Sequence, residues 1–241
     1  MRIAVAGGTG LVGSEVVRRL DEPVVIARST GVDLLTGEGL DEALEGVEAV
    51  IDVTSTTTSE PLAFFEATTT RLLEAEQRAG VRHHVVLSIV GVDRVPDNDH
   101  HRGKIRQEQL ALAGPIPATI VRATQFHDFG AQVASWTRDG DTATIPPLLV
   151  QPIAVADLAA VLVEVATGTG SGEVIDVAGP ETEDLVDMTR RTLAARGETL
   201  RLVPRWGGAF SVTMAGEVLL PGPDARIAPT TFEDWLSGSR A

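Results

Sequence analysis

The sequence predicts an α/β chain built on a doubly wound parallel sheet, with a small C-terminal region that covers the substrate side. Three observations predict it. Short apolar segments of strand character alternate with amphipathic segments of helical spacing along the first half of the chain. One of these segments, residues 85–90, reads, Ser88 apart, as a continuous apolar run of the kind buried on both faces of a parallel sheet. The first of them runs straight into a glycine-rich turn that opens a helix.

Taken in order, residues 3–6 read as a strand and 11–20 as a helix, with a turn at Asp21, Glu22 and Pro23. Residues 24–27 form a second strand, 32–34 a brief third, and 40–44 a helix. Residues 49–53 form a fourth strand, followed by a Thr/Ser loop over 54–59. Pro61 suits a first helical position, and Leu62, Phe65, Thr69, Leu72, Glu76 and Ala79 mark helical spacing up to Gly80. A strand over 85–90, a helix over 102–113 and a strand over 118–122 complete six βα-type units. Beyond these lie a helix over 126–137, an extended piece over 151–155, and a helix over 158–166 with Asp157 as its N-cap. A strand over 173–178, a helix over 185–195, a Gly/Pro-rich stretch over 204–229 and an amphipathic turn over 231–236 finish the chain. No internal repeat or long linker interrupts it. The expected organisation is one domain, 1–241, with a dinucleotide-binding core over 1–125 and a smaller substrate-side region over 126–241.

At 241 residues and 43% apolar, the chain can bury a substantial core. A net charge of −14 argues against nucleic acid or an anionic membrane face as partner, since both need a basic patch. No cysteine is present, which excludes disulfides, thiolate catalysis and cysteine metal sites. The first strand begins at residue 3, so no signal peptide is expected ahead of it, and a cytoplasmic address follows as an expectation. No metal site is expected, because no His/Asp/Glu grouping has ligand spacing. There is no tyrosine, and of 20 basic residues only Lys104 is a lysine.

The glycine turn carries the chemistry. Gly7, Gly10 and Gly13 recur every third residue between strand and helix. Gly7 permits the tight turn, Gly10 lets a pyrophosphate approach the backbone, and Gly13 lets the helix pack on the strand. Thr9, Leu11 and Val12 complete that cradle, where free N–H groups at a helix start face negative phosphates. In such Rossmann-type sheets the end of the second strand meets the adenosine ribose, where an acid suits a 2′-hydroxyl and an arginine a 2′-phosphate. Arg28 stands there, followed by Ser29 and Thr30, so NADP(H) is favoured over NAD(H). Asp33 is placed either to approach the adenine amino group or to cap a turn.

With these residues in hand, the chain resembles the atypical short-chain dehydrogenase/reductases, specifically the NmrA-like group of NAD(P)-binding proteins. The matching pieces are AVAGGTGLVG at 4–13, AVIDVTS at 49–55, HHVVLSIVGVDR at 83–94, and the block KIRQEQLALAGPIPATIVRATQFHDF at 104–129. QPIAVADLA at 151–159, VIDVAGPE at 174–181 and FEDWL at 232–236 also match. The resemblance implies that Val53 and Thr54 pass along the cofactor and that Ser88 faces its nicotinamide side. It implies that Lys104 matches the lysine of a Tyr-x-x-x-Lys pair and binds the nicotinamide ribose. Thr124, Gln125 and Phe126 would border the nicotinamide and substrate.

The departure is at the tyrosine: four residues before Lys104 stands His100, with His101 next. His100 and His127 are the substitutes for an acid, since imidazole titrates near neutrality. Solvation or capping in a polar loop would equally explain His100 and His101, and His83 and His84 read as structural. Apolar residues of the C-terminal half (Trp136, Ile145, Leu148, Leu149, Trp206, Phe210) suit either a hydrophobic pocket or plain core.

The expected function is an NADPH-dependent oxidoreductase that transfers hydride to a small hydrophobic carbonyl or quinone-type acceptor. A quinone can take its protons from water, which eases the loss of tyrosine. The alternative is an NADP(H)-binding redox sensor without turnover, as NmrA-like proteins include. A sugar-nucleotide epimerase or dehydratase fits less well, because the tyrosine is missing and the C-terminal region is short.

Overall fold

A computed structural model describes residues 1–95, 97–168 and 172–238. Strand β1 (Ile3–Ala6) leads through the glycine turn into α1 (Leu11–Val17). Strand β2 (Val24–Ile26) ends in a 3-10 turn over Arg28–Thr30, and α2 (Leu40–Ala43) precedes β3 (Ala49–Asp52). Helix α3 (Pro61–Ala79) precedes β4 (His83–Ile89), and α4 (Asp99–Ala113) precedes β5 (Ala118–Ala123). Then come α5 (Phe129–Trp136), β6 (Arg138–Asp139), β7 (Thr142–Ile145), β8 (Leu149–Val150) and α6 (Val155–Thr167). Strands β9 (Val174–Ala178) and β10 (Glu183–Asp184), helix α7 (Leu185–Ala195), strands β11 (Arg201–Pro204) and β12 (Arg226–Ile227), and helix α8 (Phe232–Gly238) close the order.

The central sheet has seven strands in the order β12-β9-β5-β4-β3-β1-β2. The registers of β1 with β2, β1 with β3, β3 with β4 and β9 with β12 are all parallel. Each parallel neighbour requires a crossover, which the helices supply, so this is a Rossmann-like α/β fold. Ala4, Val5, Ala6, Val50, Ile51, Val85 and Val86 have no exposed surface. That is why their segments read as unbroken apolar runs rather than alternating ones.

The chain divides into two compact units, residues 1–122 with 158–175, and residues 123–157 with 176–241. The first unit holds the glycine turn and most of the sheet. One core cluster there gathers Ala4, Ile26, Leu40, Leu44, Val50 and Leu72 between α2, α3 and the strands. The second unit adds two small sheets, β11-β7-β6 and β10-β8.

Several elements differ from expectation for local reasons. No strand forms over 32–34. The Asp33 carboxylate accepts the Leu35 N–H at 2.7 Å, the Gly37 N–H bonds the Asp33 carbonyl, and Gly31, Gly37 and Gly39 all take positive φ. The segment is a loop folded on itself, and Asp33 is its turn cap. Helix α4 starts at Asp99 rather than 102, because the Asn98 side chain accepts the His101 N–H at 3.0 Å and caps it. His100 and His101 therefore lie in the first helical turn. Residue 126 is extended, bridging to Ile153, so α5 begins at Phe129. Asp157 sits inside α6 rather than at its cap and accepts the Thr230 N–H at 2.9 Å. The two- to four-residue strands β6, β7, β8, β10, β11 and β12 are too short to announce themselves by periodicity.

Candidate active site

The glycine turn is built from close backbone contacts. Gly7 takes φ +79°, and a Cβ there would stand 3.1 Å from the Val53 carbonyl and 3.2 Å from the Thr54 nitrogen. The turn therefore lies directly on the end of β3, and Val53 and Thr54 form a strap beneath it. At Gly13 a Cβ would meet the Gly7 carbonyl oxygen at 2.2 Å, a distance no side chain tolerates. That contact fixes how α1 leaves the turn. A Cβ at Gly10 would find only the Gly7 carbonyl, at 3.3 Å, and Thr9, Gly10 and Leu11 are exposed. The open side is thus a surface of backbone, with Leu11 standing free and Val12 buried.

Arg28 opens the turn after β2 and is exposed, as is Ser29. The turn itself is pinned by the Thr30 hydroxyl, which donates to the Val25 and Ala27 carbonyls at 2.8 Å each and accepts the Ala27 N–H. These bonds pin the backbone from which the exposed Arg28 side chain projects.

Lys104 lies on α4 with 4% exposure. Its ammonium donates to the Gln107 Oε1 and sits 4.9 Å from the centroid of the Phe65 ring of α3. Gly103 makes this approach possible, since a Cβ there would stand 2.7 Å from the Phe65 ring and 3.0 Å from the Pro61 carbonyl. The Gln107 amide nitrogen in turn donates to Asp52 at 2.8 Å, and the other Asp52 oxygen accepts the Thr54 N–H at 2.9 Å. Burial lowers the Lys104 pKa to about 8, while Asp52 and Glu108 resist that fall. His100, one helical turn away, packs edge-on against Phe65 at 5.5 Å. Burial, with Lys104 and His101 beside it, lowers the His100 pKa to about 4, so its ring is neutral near pH 7. Ser88, at the end of β4, is buried with an unpartnered hydroxyl.

Asp52, Gln107 and Phe65 were not singled out by sequence. Asp52 left a signal, a single carboxylate in the otherwise apolar strand AVID, where an acid stays only if it is paired. Gln107 left a weaker one, its three-residue spacing from Lys104 on one helix face. His83 and His84 are structural, as expected. His83 pairs with the Thr119 hydroxyl at 3.0 Å, and His84 with the fully buried Glu76 carboxylate at 2.8 Å. Burial resists charge on the His84 ring, but the Glu76 carboxylate outweighs it and raises the pKa.

In the second unit, Thr124 donates its N–H to Val177, and its buried hydroxyl is unpartnered. Gln125 and Phe126 run alongside Ile153, with the Gln125 carbonyl accepting the Ile153 N–H at 2.8 Å. His127 is 1% exposed, and its Nε2 donates to the Pro152 carbonyl at 3.0 Å. Phe232 and Trp235 hold the ring edge-on at 5.7 and 5.6 Å. Burial lowers its pKa to about 4. A neutral, caged imidazole whose only N–H is already committed does not suit the acid role expected of it. Asp128 pairs with Arg196 instead of with His127. Of the expected pocket walls, Ile145 and Leu148 are fully buried core, while Leu149, Trp206 and Phe210 are partly exposed and Trp136 is 65% exposed. Phe129 links Trp136 and Phe210 through edge contacts at 6.3 and 6.1 Å.

The first unit's residues fit a nicotinamide dinucleotide: a glycine turn with open backbone for the pyrophosphate, an exposed arginine after β2, a buried lysine on α4 and an unpartnered serine hydroxyl on β4. Among the described residues no group of three or more acids or histidines could hold a metal ion, and no helix is long and apolar enough to cross a membrane.

Comparison with known proteins agrees. The sequence profile of the NAD(P)H-binding family matches residues 22–169. A short-chain dehydrogenase/reductase superfamily protein from Agrobacterium tumefaciens, solved with bound NAD, superimposes with a TM-score of 0.72 at 19% identity, covering 100% of this chain and 96% of that one. A nucleoside-diphosphate-sugar epimerase from Staphylococcus aureus gives 0.74 at 15% identity, over 98% and 99%. An NADPH-dependent quinone oxidoreductase from Escherichia coli gives 0.72 at 16% identity, over 99% and 100%. At these identities the likeness is one of fold. No curated protein matches the sequence.

Proposed function

Because this chain belongs to the NAD(P)H-binding family, we propose that it is an NADPH-dependent oxidoreductase that reduces a small hydrophobic carbonyl or, preferably, a quinone-type acceptor. The observation that carries the reading is the pairing, within one unit, of the backbone turn at Gly7–Gly13 with the buried Lys104 ammonium. When bound, the nicotinamide supplies a hydride. The turn's N–H groups would hold the pyrophosphate, Arg28 would take the 2′-phosphate, and Lys104 would donate to the ribose hydroxyls.

The quinone preference follows from the proton inventory. There is no phenol in the chain, His127 is committed to Pro152, His100 is neutral near pH 7, and the Lys104 ammonium, with a pKa of about 8, is assigned to the ribose hydroxyls. Hydride addition to a quinone leaves a hydroquinone anion, which takes its proton from water. An aldehyde needs a positioned acid as its alkoxide forms. The same inventory favours a second reading, an NADP(H)-holding redox sensor that turns nothing over. We further propose a cytoplasmic protein without nucleic-acid or membrane partners.

The test is NADPH oxidation over a panel of quinones and aldehydes. The reductase reading expects quinones to be consumed and aldehydes spared, with Lys104→Ala reducing the rate. Nucleotide binding with no turnover on any acceptor, and unequal affinities for NADP+ and NADPH, would transfer the case to the sensor.

A further inference from the structure

A lysine on a helix is usually mobile, yet Lys104 is held from three sides. Phe65 of α3 lies beneath the ammonium, Gln107 of its own helix accepts from it, and Asp52 of β3 stands behind Gln107. The amide of Gln107 has one workable orientation here. Its oxygen alone can accept from an ammonium, and its nitrogen alone can donate to a carboxylate. Gln107 has no exposed surface and Asp52 has 1%, so neither group has water as an alternative partner. The second Asp52 oxygen is taken by the Thr54 N–H, at the strap against which Gly7 packs.

We infer that Gln107 is a positioning residue that couples the Asp52 carboxylate to the Lys104 ammonium, so that one buried anion on β3 anchors both the strap beneath the glycine turn and the lysine. The relay compensates the buried cation without a direct ion pair. A direct carboxylate contact would occupy the N–H groups that Lys104 must keep for a ligand. The other charged or titratable groups facing Lys104 are Glu108 and His100, both on α4. Glu108 is engaged by Arg122 of β5 at 2.9 and 2.7 Å, which leaves Asp52 as the anion assigned to the lysine. The consequence for the cofactor rests on the oxidoreductase reading above, whereas the relay itself does not.

Because Lys104 is the only lysine in the chain, [13Cε]lysine labelling gives a single side-chain signal whose pH titration reads this residue alone. Asp52→Asn offers one acceptor oxygen where two are used, and Gln107→Met removes the relay. Asp52→Asn removes a nearby opposite charge and Gln107→Met the acceptor that favours the charged amine, so each is expected to move the Lys104 titration midpoint down, by about one pH unit. Each is also expected to weaken NADPH binding by roughly 10- to 100-fold in calorimetry. If both variants fold and the midpoint stays where the wild type has it, the relay is wrong. Should a variant fail to fold, the wild-type protein decides: a nuclear Overhauser contact between the Lys104 ammonium and Gln107 amide protons supports the relay, and its absence overturns it. A wild type that binds no NADPH, with a midpoint that still responds to both substitutions, would sink the cofactor reading and leave the relay standing.

Discussion

Lys104 in the first unit and His127 in the second are both buried bases in segments where sequence points to chemistry, and their surroundings differ in kind. Around Lys104 every polar partner is a side chain that leaves the ammonium donors to spare: one amide oxygen, one aromatic face and a carboxylate behind them. Around His127 the single N–H of a neutral ring is committed to the Pro152 carbonyl, and aromatic rings close the rest. Burial is common to both, so burial does not mark a reacting group. What separates them is whether donors remain after the neighbours are satisfied.

The comparison breaks most severely at the glycine turn, which the Lys104 site needs and His127 does not. Gly13→Val would press a side chain into the Gly7 carbonyl, and we expect about 3 kcal/mol or more of lost stability in urea denaturation. NADPH binding should disappear with it. A variant of wild-type stability would show that the turn is softer than its contacts imply.

The second test uses pH. His127 titrates near 4 in the folded chain against 6.5 when unfolded, so the unfolded chain takes up the proton first as pH falls. Its stabilisation is present above pH 6.5 and is lost on the way down to about 4, on the order of 3 kcal/mol for this residue. His100 and His101 shift in the same direction for the same reason, burial first. Thermal midpoints measured between pH 7 and 4 should therefore fall steadily, and less steeply in His127→Gln. That variant should also keep its NADPH oxidation rate within a few-fold, whereas loss of a general acid costs about 100-fold or more. A collapse in rate with the fold intact would restore His127 to the chemistry.

Arg28→Ala gives the smallest effect, because the guanidinium is exposed. NADPH affinity should fall about tenfold while NADH affinity holds, the scale of one charge-assisted hydrogen bond. Equal losses for both nucleotides would remove Arg28 from the 2′-phosphate.

The sheet was legible because strands buried on both faces leave short apolar runs, as 49–51 and 85–87 do, and because Gly7, Gly10 and Gly13 fall between strand and helix. The brief strand expected at 32–34 failed because three positive-φ glycines and the Asp33 turn outweigh two apolar residues. Lys104 could be singled out by its solitude, but its partners could not. Asp52 and Gln107 lie 55 positions apart in sequence, and only the pairing of β3 with the strand leading to α4 brings them within 2.8 Å. The role of His127 was similarly hidden. The rings that enclose it, Phe232 and Trp235, come more than a hundred residues later.

The most direct measurement is a calorimetric titration of the wild-type protein with NADPH, NADP+ and NADH. The account predicts heat of binding for NADPH and NADP+ with weaker association for NADH. No heat with either phosphorylated nucleotide would contradict it.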